Sequence, residues 1–346
     1  AIELVALGTV ADVVPLVGEN RLLAGYGLRK MSRSGIPGIR ALIEVARLDP
    51  LNLGAMQVAF GLAPRINAAG RIGHALQALE LLTAEDDQSA CELAKQLDAV
   101  NRRRQRIEDE ILDELLLSLP EAPPCAVVAM HEDWHAGVIG IVAARVCEKY
   151  NRPAVLVSFQ NGGTGRGSAR SPQGFDLYAA LSEVAGHFET FGGHEYAAGF
   201  SITREQYVPF KEAFEAVAAR IIRQKPPQPS IRTDGVFPPE EMTLRNVADL
   251  GLLEPFGEGN PEPLGVVRKA QLIGRVNLMG SGEKHINFRI RTPAGMFRVV
   301  GFGRAHMVAM IEAGAPLDLA VRPAINSFRG ETNVELYLED ARPSAC

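Results

Sequence analysis

The strongest constraint on the fold is one long helical pattern, which covers residues 86–119, DDQSACELAKQLDAVNRRRQRIEDEILDELLLSL. Its apolar side chains recur with a period of about 3.6 residues over most of the stretch: Leu93, Leu97, Val100, Ile107, Ile111 and Leu115. Thr83 followed by Asp86 is a helix-start signal, and the basic run 101–106 is interpreted as a solvated helix face. At about 1.5 Å per residue, such a helix extends roughly 45–50 Å and can connect one domain to another.

The rest of the chain is organised around this helix. A length of 346 residues predicts two or three domains, and proline-rich breaks divide the chain at 119–124 and 225–230. Residues 125–222 alternate short apolar strands with helices, which predicts an α/β domain. Residues 231–346 change to a period of about two. Five strands, near 264–279, 284–292, 296–303, 316–326 and 332–341, favour a small OB-type β-barrel over a generic β-sandwich.

Composition limits the cellular setting and the kind of ligand. No apolar run approaches the roughly 20 residues of a membrane span, and four scattered cysteines without a CxxC pair suit a reducing cytoplasm. The net charge of −5 provides no global basic field, so a polyanion would be held by local clusters of arginine, lysine and backbone N–H groups. The first residues, AIELVALGTVADVV, read as a buried strand in a fragment of a longer protein, since they lack an initiator methionine and a signal peptide.

Three stretches contain candidate ligands for cations or anions. Asp12 follows the first apolar run and is either a ligand for a hard cation such as Mg²⁺ or Mn²⁺ or a turn or cap residue. The stretch APRINAAGRI offers a phosphate or carboxylate the donors Arg65, Asn67 and Arg71, whose alternative is a pair of surface arginines beside a tight turn. In HEDWHAGVIG, His131 and His135 are a possible metal pair and His135 is a further candidate site residue. The second histidine precedes the helix, so the helical HExxH zinc arrangement is absent, and Trp134 is interpreted as packing.

Two glycine-rich stretches point to anion binding. If residues 165–170 of GTGRGSARSPQG are extended, Ser168 and Arg170 lie on one face and can clamp a phosphate; the alternative is a flexible hairpin. The stretch is not a P-loop, because GxxxxGK[ST] is absent. FGGHEYAAGF is either a turn with a packing patch or a site of close anion approach. Its donors and close-approach residues would be Gly192, Gly193 and His194.

The chain resembles the C-terminal two-thirds of the RecJ family of single-strand-specific DNA exonucleases, in the DHH phosphoesterase superfamily. The matching stretches occur in the family's order: VALGTVADVVPL, GLAPRINAAGRI, WHAGVIGIVAARV, GSARS, FGGHEYAAG, PFGEGNPEP and NSFRGETNVELYLED. The resemblance implies an α/β protein with the end of a DHH domain (1–82), a long connecting helix (83–120), a DHH-associated domain (121–226) and an OB-like nucleic-acid-binding domain (227–346). It also implies 5′-to-3′ degradation of single-stranded DNA in recombination and repair.

By the same resemblance, Mn²⁺ or Mg²⁺ is bound by aspartates and a DHH histidine pair, of which only Asp12 is matched here. Because no DHH occurs in the sequence, the chain is expected to be an incomplete, weakly active or inactive fragment. Ser168, Arg170 and Arg71 resemble the family's phosphate pocket, and Gly192, Gly193 and His194 its signature loop. The implied partners are single-stranded DNA, a single-strand-binding protein and a helicase.

Two other functions remain open from the sequence. One is a DHH phosphoesterase acting on short oligonucleotides or cyclic dinucleotides, against which the OB-like segment counts. The other is a non-catalytic single-strand-binding protein. In the barrel, the candidate stacking residues are Phe297, Phe302, Phe328 and Tyr337, whereas Phe288 alternates with the core face and is expected to be buried.

Overall fold

The computed structural model describes residues 1–120, 124–160, 162–228, 230–328 and 330–344. They divide into two compact units: the sheet unit, residues 30–53 and 57–230, and the barrel unit, residues 1–29, 54–56 and 231–346. The helices are α1 (Ile2–Ala11), α2 (Gly18–Met31), α3 (Pro37–Val45), α4 (Ala55–Gln57), α5 (Ala63–Ile72), α6 (Leu76–Leu82), α7 (Asp87–Ser118), α8 (Ile139–Tyr150), α9 (Leu177–Ser182), α10 (Arg204–Gln224), α11 (Leu244–Leu250) and α12 (Val308–Ile311). In the described residues, no helix is both long enough and apolar enough to cross a membrane.

The strands form one sheet in each unit. Those of the sheet unit are β1 (Val127–His131), β2 (Ala154–Ser158), β3 (Thr164–Arg170), β4 (Thr190–His194) and β5 (Ala197–Thr203). Those of the barrel unit are β6 (Gly235–Val236), β7 (Gly265–Met279), β8 (His285–Thr292), β9 (Gly295–Gly301), β10 (Leu317–Phe328) and β11 (Glu331–Pro343).

The sheet of the sheet unit has the order β1-β2-β3-β5-β4. β1 and β2 are parallel, and the other pairs are antiparallel. One face buries Phe175, Phe210 and Phe214 in a core shared with α9 and α10, and the other is covered over β1 and β2 by α8 and the end of α7. The predicted strands AVVAM and AVLVS and the helices around them are therefore confirmed.

The long helix α7 is confirmed, with a start at Asp87. The side chain of Asp86 accepts a hydrogen bond from the backbone N–H of Ser89 at 2.8 Å and caps the helix. Thr83 takes no part in this cap, because it follows α6 and its hydroxyl donates to the Leu79 carbonyl at 2.8 Å.

The predicted first strand is wrong, because residues 2–11 form the helix α1. The buried residues Glu3, Ala6, Leu7 and Val10 follow the i, i+3, i+4, i+7 spacing of one helix face. IELVALG is apolar almost all round, so periodicity could not separate a short buried strand from a helix. Asp12 is the C-cap of α1, and Val13 then adopts a φ of 54°.

The C-terminal strands form the predicted five-stranded barrel. The order β7-β8-β9-β11-β10 closes on itself through antiparallel pairing of β10 with β7, and the short β6 adds to β7. This closure excludes the open β-sandwich. The inward faces of the strands bury Phe288, Ile290, Val299 and Leu336. The predicted helix between the third and fourth strands is present as a 3₁₀ turn, Ala305–Met307, followed by α12.

Candidate functional site

The candidate site lies on the part of the sheet unit's face that spans β3, β5 and β4. Ser168 pairs with Gly199, and Gly199 pairs with Gly192, so these three residues form one row across the strands. Directly opposed residues point to the same face of an antiparallel sheet. This face is open at its centre, since Gly192 and Gly199 are exposed.

A second row lies one step along the strands. Arg170 pairs with Ala197, and Ala197 pairs with His194. One guanidinium nitrogen of Arg170, Nη1, donates to the Ser168 hydroxyl at 3.3 Å and to the Ala169 carbonyl at 2.7 Å. Because β3 is a central strand with Ser168 and Arg170 on one face, the flexible-hairpin alternative is excluded. The predicted juxtaposition of a hydroxyl and a guanidinium is present.

The two glycines of FGGHEYAAGF have different surroundings. A Cβ atom on Gly192 would have no heavy atom within 4 Å, and one on Gly199 would meet only the Gly167 carbonyl at 3.7 Å. A Cβ on Gly193 would lie 2.5 Å from the Cα atom of Ala198, which is impossible without a backbone shift. Gly193 is therefore a packing residue on the opposite face. Gly192 and Gly199 leave the site's face flat and open, and we call these two residues the glycine floor.

His194 lies at the edge of this face, as the last residue of β4. The hairpin turn of Glu195 and Tyr196 joins β4 to β5 directly after it. The imidazole is exposed and has no hydrogen bond to any residue that the structure describes. It is therefore available to donate to an anion on the glycine floor.

Arg71 brings a second positive charge to the site from the end of α5. Its Nη1 approaches the Gly137 carbonyl at 3.5 Å, and a Cβ on Gly137 would lie 2.1 Å from the Arg71 carbonyl oxygen. The end of α5 thus packs against the turn before α8. In the first turn of α8, a Cβ on Gly140 would lie 2.9 Å from the Ser168 hydroxyl oxygen. These contacts place α5, α8 and β3 around one small region.

The charges of this region are uncompensated. Burial lowers the pKa of the Arg170 guanidinium, and the nearby positive charge of Arg71 lowers it further, whereas Cys147 raises it. Within the described residues, neither Arg71 nor Arg170 forms an ion pair with a carboxylate. Two neighbouring guanidinium groups without a counter-charge favour the binding of an anion.

Arg65, another predicted donor of α5, points away from the region around Arg71 and Arg170. The guanidinium of Arg65 is held by Asp98, with an Nη2–Oδ1 distance of 2.7 Å, and it also donates to the Gly61 carbonyl. Six residues rotate a helix by roughly 600°, so Arg65 and Arg71 point about 120° apart. Asn67 is exposed one turn before Arg71 on the same side of α5. The stretch is a helix, which excludes the tight-turn alternative.

His135, before α8, makes hydrogen bonds within its own turn. His135 Nδ1 accepts the Gly137 N–H at 3.1 Å, and its carbonyl accepts the N–H groups of Val138 and Ile139. The indole of Trp134 is buried and donates to Glu114 at 2.9 Å, so its packing role is confirmed. His135 thus shapes the entry to α8.

A buried polar cluster on α7 was not predicted from the sequence. Arg104 is buried, donates to Glu108 at 2.6 Å and holds the Asn101 side-chain oxygen with two nitrogens. Burial lowers the pKa of Arg104, Glu108 raises it and the nearby Arg71 lowers it. The solvated-face interpretation is therefore wrong for Arg104. The available signal was the i, i+3, i+7 spacing of Asn101, Arg104 and Glu108 on the buried side of the helix.

Phe302 is the exposed residue among the predicted stacking residues whose side chains the structure describes. Phe302 is 61% exposed and contacts the rings of His285 and Tyr337, with centroid distances of 5.5 Å and 5.9 Å. Phe288 is buried as expected, and Phe297 packs against the core. The side chain of Phe328 lies outside the described residues.

A metal site is not assembled by the described residues. They contain no group of three or more histidine, cysteine, aspartate or glutamate side chains placed to hold a metal ion. Asp12 is an exposed carboxylate in the barrel unit. One carboxylate does not provide the ligand set that Mg²⁺ or Mn²⁺ takes.

Family models match two parts of the chain. The DHHA1 domain matches residues 123–222, and the RecJ OB domain matches residues 233–340. The chain is 32% identical to the single-stranded-DNA-specific exonuclease RecJ of Bacillus subtilis over 99% of its own length and 44% of the relative. It is 38% identical to the corresponding protein of Thermus thermophilus over 84% of its own length and 41% of the relative.

The fold agrees with solved structures of that enzyme. The crystal structure of RecJ from Thermus thermophilus in complex with Mg²⁺ aligns with a TM-score of 0.85 at 34% identity, covering all of this chain and 52% of the other. A structure of exonuclease RecJ bound to manganese aligns over 65% of this chain with a TM-score of 0.56. The chain thus spans about half the length of the proteins that it matches.

Proposed function

We propose that this chain, which belongs to the RecJ family, grips the phosphates of single-stranded DNA in a 5′-to-3′ exonuclease of recombination and repair. The observation that carries the proposal is the open face of β3, β5 and β4. There, Arg170 lies beside the Ser168 hydroxyl and an exposed glycine floor, and Arg71 adds a second positive charge close to Arg170; neither arginine has a carboxylate partner in the described residues. The chemistry of this face suits a phosphodiester.

The proposed contacts follow from the donors present. A phosphate oxygen accepts a hydrogen bond from the Arg170 guanidinium, which is oriented by its own hydrogen bond to the Ser168 hydroxyl. Arg71 adds charge, His194 donates from the edge, and the absence of a side chain at Gly192 lets the sugar–phosphate backbone approach the sheet. Such a grip positions the scissile bond, which lowers the entropic cost of the hydrolysis.

For the whole protein we propose a Mn²⁺- or Mg²⁺-dependent phosphodiester hydrolysis. The described residues do not fit the metal by themselves, because Asp12 is the one carboxylate that the family pattern matches. No step of the hydrolysis is therefore assigned to this chain. Its own share is to bind and orient the strand.

The barrel is proposed to hold bases of the same strand. Phe302 offers an exposed ring face supported by Tyr337 and His285. Stacking on aromatic rings binds bases without a sequence preference. This barrel also disfavours the alternative substrate class of short oligonucleotides or cyclic dinucleotides. A cytoplasmic setting, a single-strand-binding protein and a helicase as partners belong to the same proposal.

A pair of glycine substitutions tests the location of the grip. Gly192→Val is expected to leave folding intact, because open space surrounds the position, and to weaken binding of an oligothymidylate by about tenfold or more through steric exclusion of the strand. Gly193→Ala is the matched control and is expected to destabilise the fold, because its Cβ would meet backbone atoms. Fluorescence anisotropy measures binding, and the fluorescence of Trp134, the one tryptophan, measures unfolding of the sheet unit. Undiminished binding by Gly192→Val would place the DNA elsewhere.

A further inference from the structure

The third row of the open sheet face carries polar groups that neither the sequence motifs nor the proposed phosphate clamp uses. Arg166 pairs with Ser201, and Ser201 pairs with Thr190, on the same face as Ser168 and Arg170. The hydroxyls of Thr190 and Ser201 lie 2.6 Å apart. The arginine and two hydroxyls thus form a polar row on the far side of the glycine floor from Arg170.

Arg166 is free to bind a ligand. Its side chain is exposed, and it makes no ion pair or hydrogen bond to the part of the chain that the structure describes. Two other exposed arginines of the sheet unit are neutralised, since Arg204 pairs with Glu132 and Arg220 pairs with Glu183 at 2.5 Å. Arg166 and Arg170 are the two arginines on the described strands of this sheet, and neither forms an ion pair with a carboxylate of the described residues.

The spacing of the rows fits two successive phosphates. Ser168 lies two residues from Arg166 and two from Arg170, so each row is separated from the next by roughly 7 Å along the strand. One nucleotide of an extended strand can span this distance. A phosphate at Ser168 and Arg170 therefore places a neighbouring phosphate within reach of Arg166, with the intervening sugar over Gly199 and Gly192.

We propose that Arg166, with the hydroxyls of Thr190 and Ser201, binds the backbone phosphate adjacent to the one held by Ser168 and Arg170. This second phosphate subsite rests on the proposed DNA-binding function and extends it. It makes the sheet face a binding track for at least one complete nucleotide. It also assigns to Arg166 a contact that depends on the charge of a single internucleotide linkage.

The experiment uses three competitors for a fluorescent oligothymidylate: thymidine 5′-monophosphate, the dinucleotide pTpT, and pTpT with a neutral methylphosphonate linkage. Arg166→Ala is expected to weaken pTpT binding by about two- to fivefold, as for an exposed charge pair. It is expected to leave the other two competitors unchanged, because they lack the second charge. Arg166→Lys is expected to restore much of the loss, and Arg223→Ala, an exposed arginine of α10, serves as the matched control.

Each possible result either supports or overturns the second phosphate subsite. Equal weakening of all three competitors by Arg166→Ala would show a general field effect and overturn the second subsite, as would no weakening of pTpT. Arg170→Ala is expected to weaken all three competitors, since they all carry the first phosphate. If Arg170→Ala changes none of them, the proposed function itself fails, and this outcome is distinct from the failure of the subsite.

Discussion

Arg170→Ala is expected to lower the affinity for single-stranded DNA by about ten- to hundredfold, which corresponds to about 1.5–3 kcal/mol for a hydrogen bond to a charged group. Its guanidinium is partly buried, so the phosphate contact is shielded from water and stronger than one at the open surface. The pKa of Arg170 is lowered by burial and by Arg71, and a bound phosphate would relieve both costs.

The measurement is an anisotropy titration with oligothymidylate over a range of salt concentrations. Loss of one phosphate contact is expected to reduce the slope of log K against log salt by about 0.7 for a single strand. Arg170→Lys retains the charge but loses the fork, so an intermediate affinity is expected. Arg223→Ala controls for net charge. An unchanged affinity and slope for Arg170→Ala would remove the residue from the site.

Glu108→Ala is expected to destabilise the sheet unit by about 3–5 kcal/mol, because it leaves the buried Arg104 without its counter-charge. Glu108 is 10% exposed at the side chain and accepts from both Arg104 and Arg145. Asp109→Ala is the matched control, since Asp109 also pairs with Arg145 but is 64% exposed. That exposed pair is expected to contribute at most about 1 kcal/mol.

Urea unfolding followed by the fluorescence of Trp134 measures both variants. Trp134 packs with Ile111 and Leu115 of α7, so it reports on the helix that carries Glu108. A double substitution, Arg104→Leu with Glu108→Leu, is expected to recover much of the loss because both charges of this buried pair are removed together. An equal effect of Glu108→Ala and Asp109→Ala would contradict the account of a buried charge pair.

The elements predicted correctly from the sequence are those with a long or repeated period. The helix α7 extends over enough turns for its apolar stripe to stand out, and the barrel strands alternate as HINFRIR does. α1 could not be assigned in this way, because a short run that is apolar on every side has no readable period. Its helical spacing becomes visible only through burial of Ala6, Leu7 and Val10.

The site was predictable in part. Ser168 and Arg170 alternate on one strand, so their shared face followed from local geometry. Arg65 could not be separated from Arg71 by composition, because its partner Asp98 is distant in the sequence and is brought near by packing of α5 on α7. Gly192 and Gly193 also look alike in the sequence, and only the pairing of β4 with β5 assigns one to the open face and the other to the packed face.

A crystal structure of the chain with a short oligothymidylate tests most directly the claim that the open sheet face grips DNA. We expect a phosphate within hydrogen-bond distance of the Ser168 hydroxyl and the Arg170 guanidinium, with the backbone lying over Gly192 and Gly199. A strand bound to the barrel alone, with this face unoccupied at saturating oligonucleotide, would show that the sheet face does not grip DNA.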